Sequence, residues 1–112
     1  METRIAKINE LIRAELAMTL KRTVEFRLGT LVTITTVECD SELKNATVHL
    51  TVFPQDYEKE ALLLIKKLSG PLQHALNHKL SMRFVPQLSY YIDKEQTAGY
   101  AVEELLNSIK ED

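Results

Sequence analysis

Hydrophobic positions near the N-terminus follow the period of an α-helix. Apolar residues recur every three or four positions, at Ile5, Ile8, Leu11 or Ile12, and Leu16. Thr3 precedes this run and carries a side-chain oxygen of the kind that caps helix N-termini. We therefore predict a first helix that begins after Thr3 and ends near residues 19–22.

Two stretches in the middle of the chain have the pattern of β-strands. Residues 31–38 (LVTITTVE) are rich in β-branched side chains, which favour strands. Residues 46–53 (ATVHLTVF) alternate, and one face holds only apolar side chains: Ala46, Val48, Leu50 and Val52. Because CDSELKN between them is turn-like and Pro54 ends the second stretch, we predict a hairpin whose loop is longer than two residues.

From Tyr57 onward a helical pattern returns, and a Gly-Pro pair interrupts it. The apolar positions keep their helical phase throughout: Ala61, Ile65, Leu68, Leu72, Leu76 and Leu80. Pro71 cannot donate a helical hydrogen bond, and it disfavours the α conformation at Gly70. The sequence therefore predicts that the helix kinks or restarts here, with Ser69 or Gly70 as the cap and Pro71 in the first turn. Both halves should face one core.

The remaining pattern completes an α+β fold. Residues 87–92 (QLSYYI) predict a third strand with Leu88, Tyr90 and Ile92 on one face, and residues 97–110 predict a final helix. The order α-β-β-α-kink-α-β-α predicts a two-layer domain over residues 1–112, in which helices cover one face of a three-stranded sheet. This is the outline of a KH-like domain of type II. Nucleic-acid-binding KH domains have a GXXG loop between two helices, where this chain has LSGP with one glycine.

Composition narrows the class of protein. The 112 residues, 45% of them hydrophobic, suit one globular core rather than a disordered chain. No apolar run approaches the roughly 18 residues of a membrane span, and the charged start METRIAKINE does not resemble a signal peptide. A single cysteine, Cys39, cannot form an internal disulfide. We expect a cytoplasmic protein that does not bind membranes.

Charge is unevenly distributed along the chain, although the net charge is only −2. Residues 61–92 hold four Lys/Arg and no Asp/Glu, whereas residues 31–60 and 93–112 each hold two Lys/Arg against six Asp/Glu. The acid-free stretch contains the predicted helix break and six candidate RNA-binding residues: Lys66, Lys67, His74, His78, Lys79 and Arg83. These side chains are either a phosphate-binding surface or ordinary solvated basic residues.

Other residue types that carry chemistry have simpler interpretations. His74 and His78 have the i, i+4 spacing of a metal-binding pair, but no acid lies nearby in sequence, which favours exposed histidines over ligands. Cys39 has no CxxC partner and is better explained as a small buried hydrophobe than as a nucleophile. Tyr91 could stack on a base or simply be an edge tyrosine. Since no P-loop, GxSxG or dinucleotide pattern is present, we expect no enzyme activity, no cofactor and no metal.

Four segments, in their order and spacing, resemble the ribosome-binding factor A family over nearly the whole chain. They are RIAKINELIRAEL, VECDSELKNATVHLTVF, LSG and LSMRFVPQLSYYID, and their most specific residues are Leu43, Ala46, Arg83, Pro86, Leu88 and Asp93. The resemblance implies a KH-like fold in which an alanine-containing interruption ending in glycine replaces GXXG. It also implies an assembly factor of the small (30S) ribosomal subunit that binds precursor 16S rRNA and the immature subunit and supports rRNA processing.

The chain departs from the family pattern at several positions. Leu68 stands where the family has the alanine, Gln73 where an arginine is usual, and residues 27–29 (RLG) where it has Asp-Pro-Arg. Asp40 and Glu42 replace a serine and an aspartate. With the missing GXXG and a pI of 5.9, these departures leave an alternative open, namely a KH-like protein-interaction module that has lost RNA binding. We expect a monomer without a small-molecule substrate.

Overall fold

A computed structural model describes residues 3–94 and has the predicted order of elements up to the third strand. Its elements are α1 (Arg4–Thr23), β1 (Leu31–Cys39), β2 (Asn45–Phe53), a 3-10 turn (Gln55–Tyr57), α2 (Glu58–Lys67), α3 (Ser69–Lys79) and β3 (Gln87–Ile92). The final helix predicted at residues 97–110 lies outside the described residues.

Helix α1 begins where the sequence predicts. The Thr3 hydroxyl accepts a hydrogen bond of 3.0 Å from the Ala6 amide, which confirms Thr3 as the N-cap. Ile12 and Leu16 are fully buried whereas Leu11 is half exposed, so Ile12 rather than Leu11 faces the core. The helix continues to Thr23, just past the predicted end.

The three strands form one mixed sheet in the order β1-β2-β3, in which β1 pairs antiparallel and β3 pairs parallel with the central strand β2. Val48 of β2 pairs with Val37 on one side and with Tyr90 on the other. The predicted alternation of β2 is confirmed, since its inner residues are buried: Ala46, Val48, Leu50 and Val52. The opposite face is open to solvent and carries mainly threonine, together with His49 and Tyr91.

A β-bulge interrupts β1 at Thr35, where the register with β2 shifts between Ile34 and Thr36. The Thr35 hydroxyl lies 2.6 Å from Oδ2 of Asp93, the residue that follows β3, and donates a hydrogen bond to it. A side chain of the first strand therefore reaches the end of the third.

The hydrophobic core lies between the inner face of the sheet and the three helices, which confirms the predicted two-layer arrangement. Ile65, Leu72 and Leu76 of α2 and α3 are fully buried, so the apolar phase does continue through the helix break. Tyr90 is buried as predicted, and burial raises the pKa of its phenol to about 12. Within residues 3–94, no helix is both long enough and apolar enough to cross a membrane.

Candidate nucleic-acid interface at the helix break

The break between the two helices lies at Leu68. Its backbone (φ −99, ψ 17) is outside the helical range, yet its amide completes α2 by donating to the carbonyls of Leu64 and Ile65 at 3.0 and 3.1 Å. Its carbonyl begins α3 by accepting from the Leu72 amide at 3.0 Å. The two helices are therefore joined through one residue, with no loop between them.

The predicted break is confirmed, but the predicted caps, Ser69 and Gly70, are wrong. Both residues lie in the first turn of α3, and no side chain of the described part of the chain caps this helix. Pro71 is the third residue of α3, where its missing N–H leaves no helical bond unmade. In one continuous helix that N–H would have to donate to the Lys67 carbonyl, which explains why the interruption comes directly after Lys67.

The start of α3 is open to a ligand and positively charged. Gly70 is exposed, and a Cβ placed on it would meet no atom within 4 Å among residues 3–94, apart from its neighbours and the backbone of its own helix. Lys66 and Lys67 are exposed in the last turn of α2, and neither makes an ion pair with any residue of the described range. Because the uncapped amides of a helix N-terminus also attract anions, the break combines two free ammonium groups with a favourable backbone field.

The two candidate histidines continue this surface along α3. Pro71, His74 and His78 are three and four residues apart and all exposed, so they share one outward face of the helix. The rings of His74 and His78 meet edge to face with centroids 4.5 Å apart. Between residues 3 and 94 no group of three or more His, Cys, Asp or Glu side chains is placed to hold a metal ion. The histidines are therefore better described as part of an exposed polar face than as a metal site.

The structure separates the other two candidates from the break. Lys79 ends the 11-residue helix α3, which places it about 15 Å from Ser69 at 1.5 Å per residue. Arg83 lies beyond it, in the loop that leads to β3, and both side chains are exposed. The six predicted residues therefore do not form one cluster: they lie at the break (Lys66, Lys67), along the exposed face of α3 (His74, His78), and at or beyond the C-terminal end of α3 (Lys79, Arg83).

Gln73 has a role that its position in the sequence does not reveal. Its amide nitrogen donates to the Pro86 carbonyl at 3.0 Å and to the Asn77 side chain at 3.1 Å, and its Oε1 accepts from the Leu88 amide at 3.0 Å. Gln73 therefore ties α3 to the beginning of β3. No sequence motif signals this role, since the backbone partners lie 13 and 15 residues further along the chain.

Two further residues singled out in the sequence do not join the interface. Cys39 is half-buried and packs against the core, and burial, followed by the nearby Asp40 carboxylate, raises the pKa of its thiol. A raised pKa keeps the thiol protonated and makes it a poor nucleophile. Tyr91 is half exposed on the open face of the sheet, with its ring centroid 6.4 Å from that of His49.

Comparison with known proteins gives one consistent result. A family model described as Ribosome-binding factor A matches residues 4–106. Ribosome-binding factor A of Clostridium novyi is 27% identical over 110 residues, covering 96% of this chain and 91% of that protein. The protein of the same name from Lactobacillus johnsonii is 31% identical over 112 residues, covering 98% and 91% respectively.

The fold has a counterpart among solved structures. The crystal structure of ribosome-binding factor A from Thermus thermophilus superimposes with a TM-score of 0.71 at 22% sequence identity, covering 80% of this chain and 97% of that one. This match confirms the predicted KH-like fold.

Proposed function

Because the chain belongs to the ribosome-binding factor A family, we propose that it is an assembly and maturation factor of the small ribosomal subunit. In this proposal it binds precursor 16S rRNA on the immature 30S particle and supports rRNA processing. It acts in the cytoplasm as a monomer and performs no chemical step itself.

The observation that carries the proposal is the charge at the helix break. Lys66 and Lys67 lie beside the uncapped start of α3, and no carboxylate pairs with either within residues 3–94. In KH domains the corresponding turn lets the backbone approach the phosphates. Here Gly70 supplies the one position without a side chain, and the lysines supply charge that a second glycine would not.

The type of contact follows from these groups. Lysine ammonium groups and backbone amides bind phosphate oxygens and carry no base preference, so this surface would position the protein along the RNA backbone. His74 and His78 lie on the same helix and could add hydrogen bonds to bases or phosphates through their ring nitrogens. Gln73 stands where an arginine is usual in the family. Its side chain is hydrogen-bonded to the Pro86 carbonyl and the Leu88 amide, and it adds no positive charge to the surface.

A charge reversal at the break tests the proposal. We expect Lys66→Glu with Lys67→Glu to weaken binding to immature 30S subunits isolated from cells that lack the factor. Each lost phosphate contact should reduce the slope of log affinity against log salt by about 0.7–0.9. The free energy of unfolding should change by less than about 0.5 kcal/mol, because both side chains are exposed.

A matched control is available elsewhere in the chain. Lys21 and Arg22 are also an exposed basic pair in the last turn of a helix, α1. Reversing them changes the net charge by the same amount and should leave the salt slope nearly unchanged. If the folded Lys66/Lys67 variant binds as tightly as the wild type at every salt concentration, the site is wrong and the protein-interaction alternative gains support. Equal losses from both pairs would mean that only total charge matters.

A further inference from the structure

The loop between α3 and β3 presents an aromatic ring to solvent. Phe84 is 73% exposed. The guanidinium carbon of Arg83 lies over this ring, 5.4 Å from its centroid, which is a cation-π distance. Most of the ring surface therefore remains open to a ligand, with a positive charge beside it.

This exposure does not come from a loosely held loop. Gln73 binds the Pro86 carbonyl and the Leu88 amide at the loop's end, and the Gln87 amide donates to the Lys44 carbonyl at 2.9 Å. Pro86 is fully buried, and its loop neighbours Met82 and Val85 pack against the core. The loop is therefore anchored by hydrogen bonds after Phe84 and by core packing of the Met82 side chain before it, and Phe84 lies exposed between these anchors. A loop anchored in this way loses less conformational entropy when a ligand binds.

A cleft of about 400 Å³ lies beside the ring, between the start of α1 and the β1-β2 loop. Its charged lining residues are Arg4, Arg83 and Glu42. The Glu42 carboxylate lies 3.7 Å from the Lys44 ammonium, whereas neither arginine has a carboxylate partner among residues 3–94. Two guanidinium groups against one carboxylate give the lining of the cleft a net positive charge, which favours an anionic ligand.

We propose that this cleft binds one nucleotide of single-stranded RNA, with the base stacked on Phe84 and the adjoining phosphates near Arg83 and Arg4. Aromatic rings flanked by positive charge bind unpaired nucleotides, because every base offers a π-face and every phosphate a negative charge. A duplex hides its base faces, so the ligand must be unpaired. The cleft lies near the C-terminal end of α3 and would be a second RNA contact, separate from the helix break. This inference rests on the proposed function only in naming the RNA as rRNA.

The chain contains no tryptophan, which gives a direct probe of stacking. Phe84→Trp introduces a single tryptophan at the proposed site, which can be excited apart from the tyrosines, and stacking on a base should quench its fluorescence. We expect saturable quenching with a short single-stranded oligoribonucleotide and none with an RNA duplex. Leu28→Trp is the control, because Leu28 is 97% exposed and lies in the turn between α1 and β1, outside the cleft.

Substitutions separate stacking from general hydrophobic contact. Phe84→Ala should lower affinity for the oligoribonucleotide about 5- to 150-fold, the range found when a base-stacking aromatic is removed. Phe84→Leu should lose as much, since it stays apolar but has no π-face, whereas Phe84→Tyr should keep wild-type affinity. Arg83→Gln with Arg4→Gln should weaken binding and reduce its salt dependence.

Three results would overturn the inference. The first is unquenched Phe84→Trp fluorescence at oligoribonucleotide concentrations that saturate the wild type. The second is equal quenching of Leu28→Trp. The third is a fluorescence change with whole subunits but with no single-stranded RNA, which would assign the ring to another component of the subunit, either folded rRNA or protein. Because free RNA is the probe, this assay gives an answer even if the protein fails to bind 30S subunits, the result that would refute the proposed function.

Discussion

Gln73 offers the most direct test of how α3 is attached to the sheet. Within residues 3–94, β3 is an edge strand of the sheet. The Gln87 amide donates toward β2, to the Lys44 carbonyl, so the next amide, that of Leu88, points away from β2 and would have no partner in this sheet. Gln73 accepts from this amide at 3.0 Å and donates to the Pro86 carbonyl at 3.0 Å. Replacing Gln73 with alanine removes both bonds and leaves a donor and an acceptor at largely buried residues without partners.

The expected cost follows from those two groups. A buried polar group left without a hydrogen bond costs about 1–3 kcal/mol. Gln73 is only half-buried, so water can replace part of each bond, and we expect a total loss of about 1–3 kcal/mol in the free energy of unfolding. For a domain of this size, that corresponds to a fall in Tm of about 4–20 °C. Gln73→Glu should fall between the wild type and the alanine variant, because it keeps the acceptor for Leu88 and loses the donor to Pro86.

Urea denaturation gives the free energy, and amide hydrogen exchange locates the change. We expect faster exchange at the Leu88 amide in Gln73→Ala. Asn77→Ala is the matched control, since it removes only the exposed side-chain bond between Gln73 and Asn77. A Gln73→Ala variant with unchanged Leu88 protection and a stability change below about 0.5 kcal/mol would refute the role assigned to Gln73.

Two other predictions concern the core and the helix break. The buried Tyr90 hydroxyl has no hydrogen-bond partner among the described residues, so Tyr90→Phe should raise the free energy of unfolding by about 1 kcal/mol. The pKa of Tyr90 is about 12 in the folded protein and near the usual 10.0 in the unfolded chain, so the free energy of unfolding should fall as pH rises from 10 to 12. Urea denaturation at a series of pH values should show this fall in the wild type, and the Tyr90 contribution to it should be missing in Tyr90→Phe. Gly70→Ala with Pro71→Ala should allow the amide of residue 71 to bond the Lys67 carbonyl and bring α2 and α3 closer to one continuous helix, since a Cβ at Gly70 meets no atom of residues 3–94 within 4 Å beyond its neighbours and its own helix. A crystal structure that keeps the wild-type interhelical angle would show that core packing sets the break.

The parts of the fold that are visible in the sequence are those set by local periodicity. The alternation in β2 and the apolar phase from Ala61 to Leu80 predict which side chains are buried, because burial of one face has a fixed spacing in each element. The N-cap of α3 was predicted at the wrong residue because cap preferences describe side-chain oxygens. Leu68 instead ends α2 with its backbone amide and begins α3 with its backbone carbonyl.

Long-range arrangement explains the remaining differences. The charge pattern identified the basic residues around the break, but it grouped Lys79 and Arg83 with them because a run of like charge does not show how far apart its members lie once the helix has formed; α3 separates Lys79 from Ser69 by about 15 Å. Phe84 and Gln73 were not singled out as candidate site residues. Their roles depend on a fixed loop and on backbone groups of another element, and neither leaves a periodic signal.

The bulge at Thr35 has a consequence for how the domain unfolds. Its hydroxyl bond to Asp93 joins the outer strand β1 to the end of the other outer strand, across the central one. In a sheet without such a bond, β3 could detach while the β1-β2 hairpin stays intact. Here the detachment of β3 also breaks a contact of β1, so loss of either edge weakens the other. The bond therefore adds about 1.5–3 kcal/mol to the cost of detaching β3 alone, and an intermediate that retains only the hairpin should be correspondingly less populated.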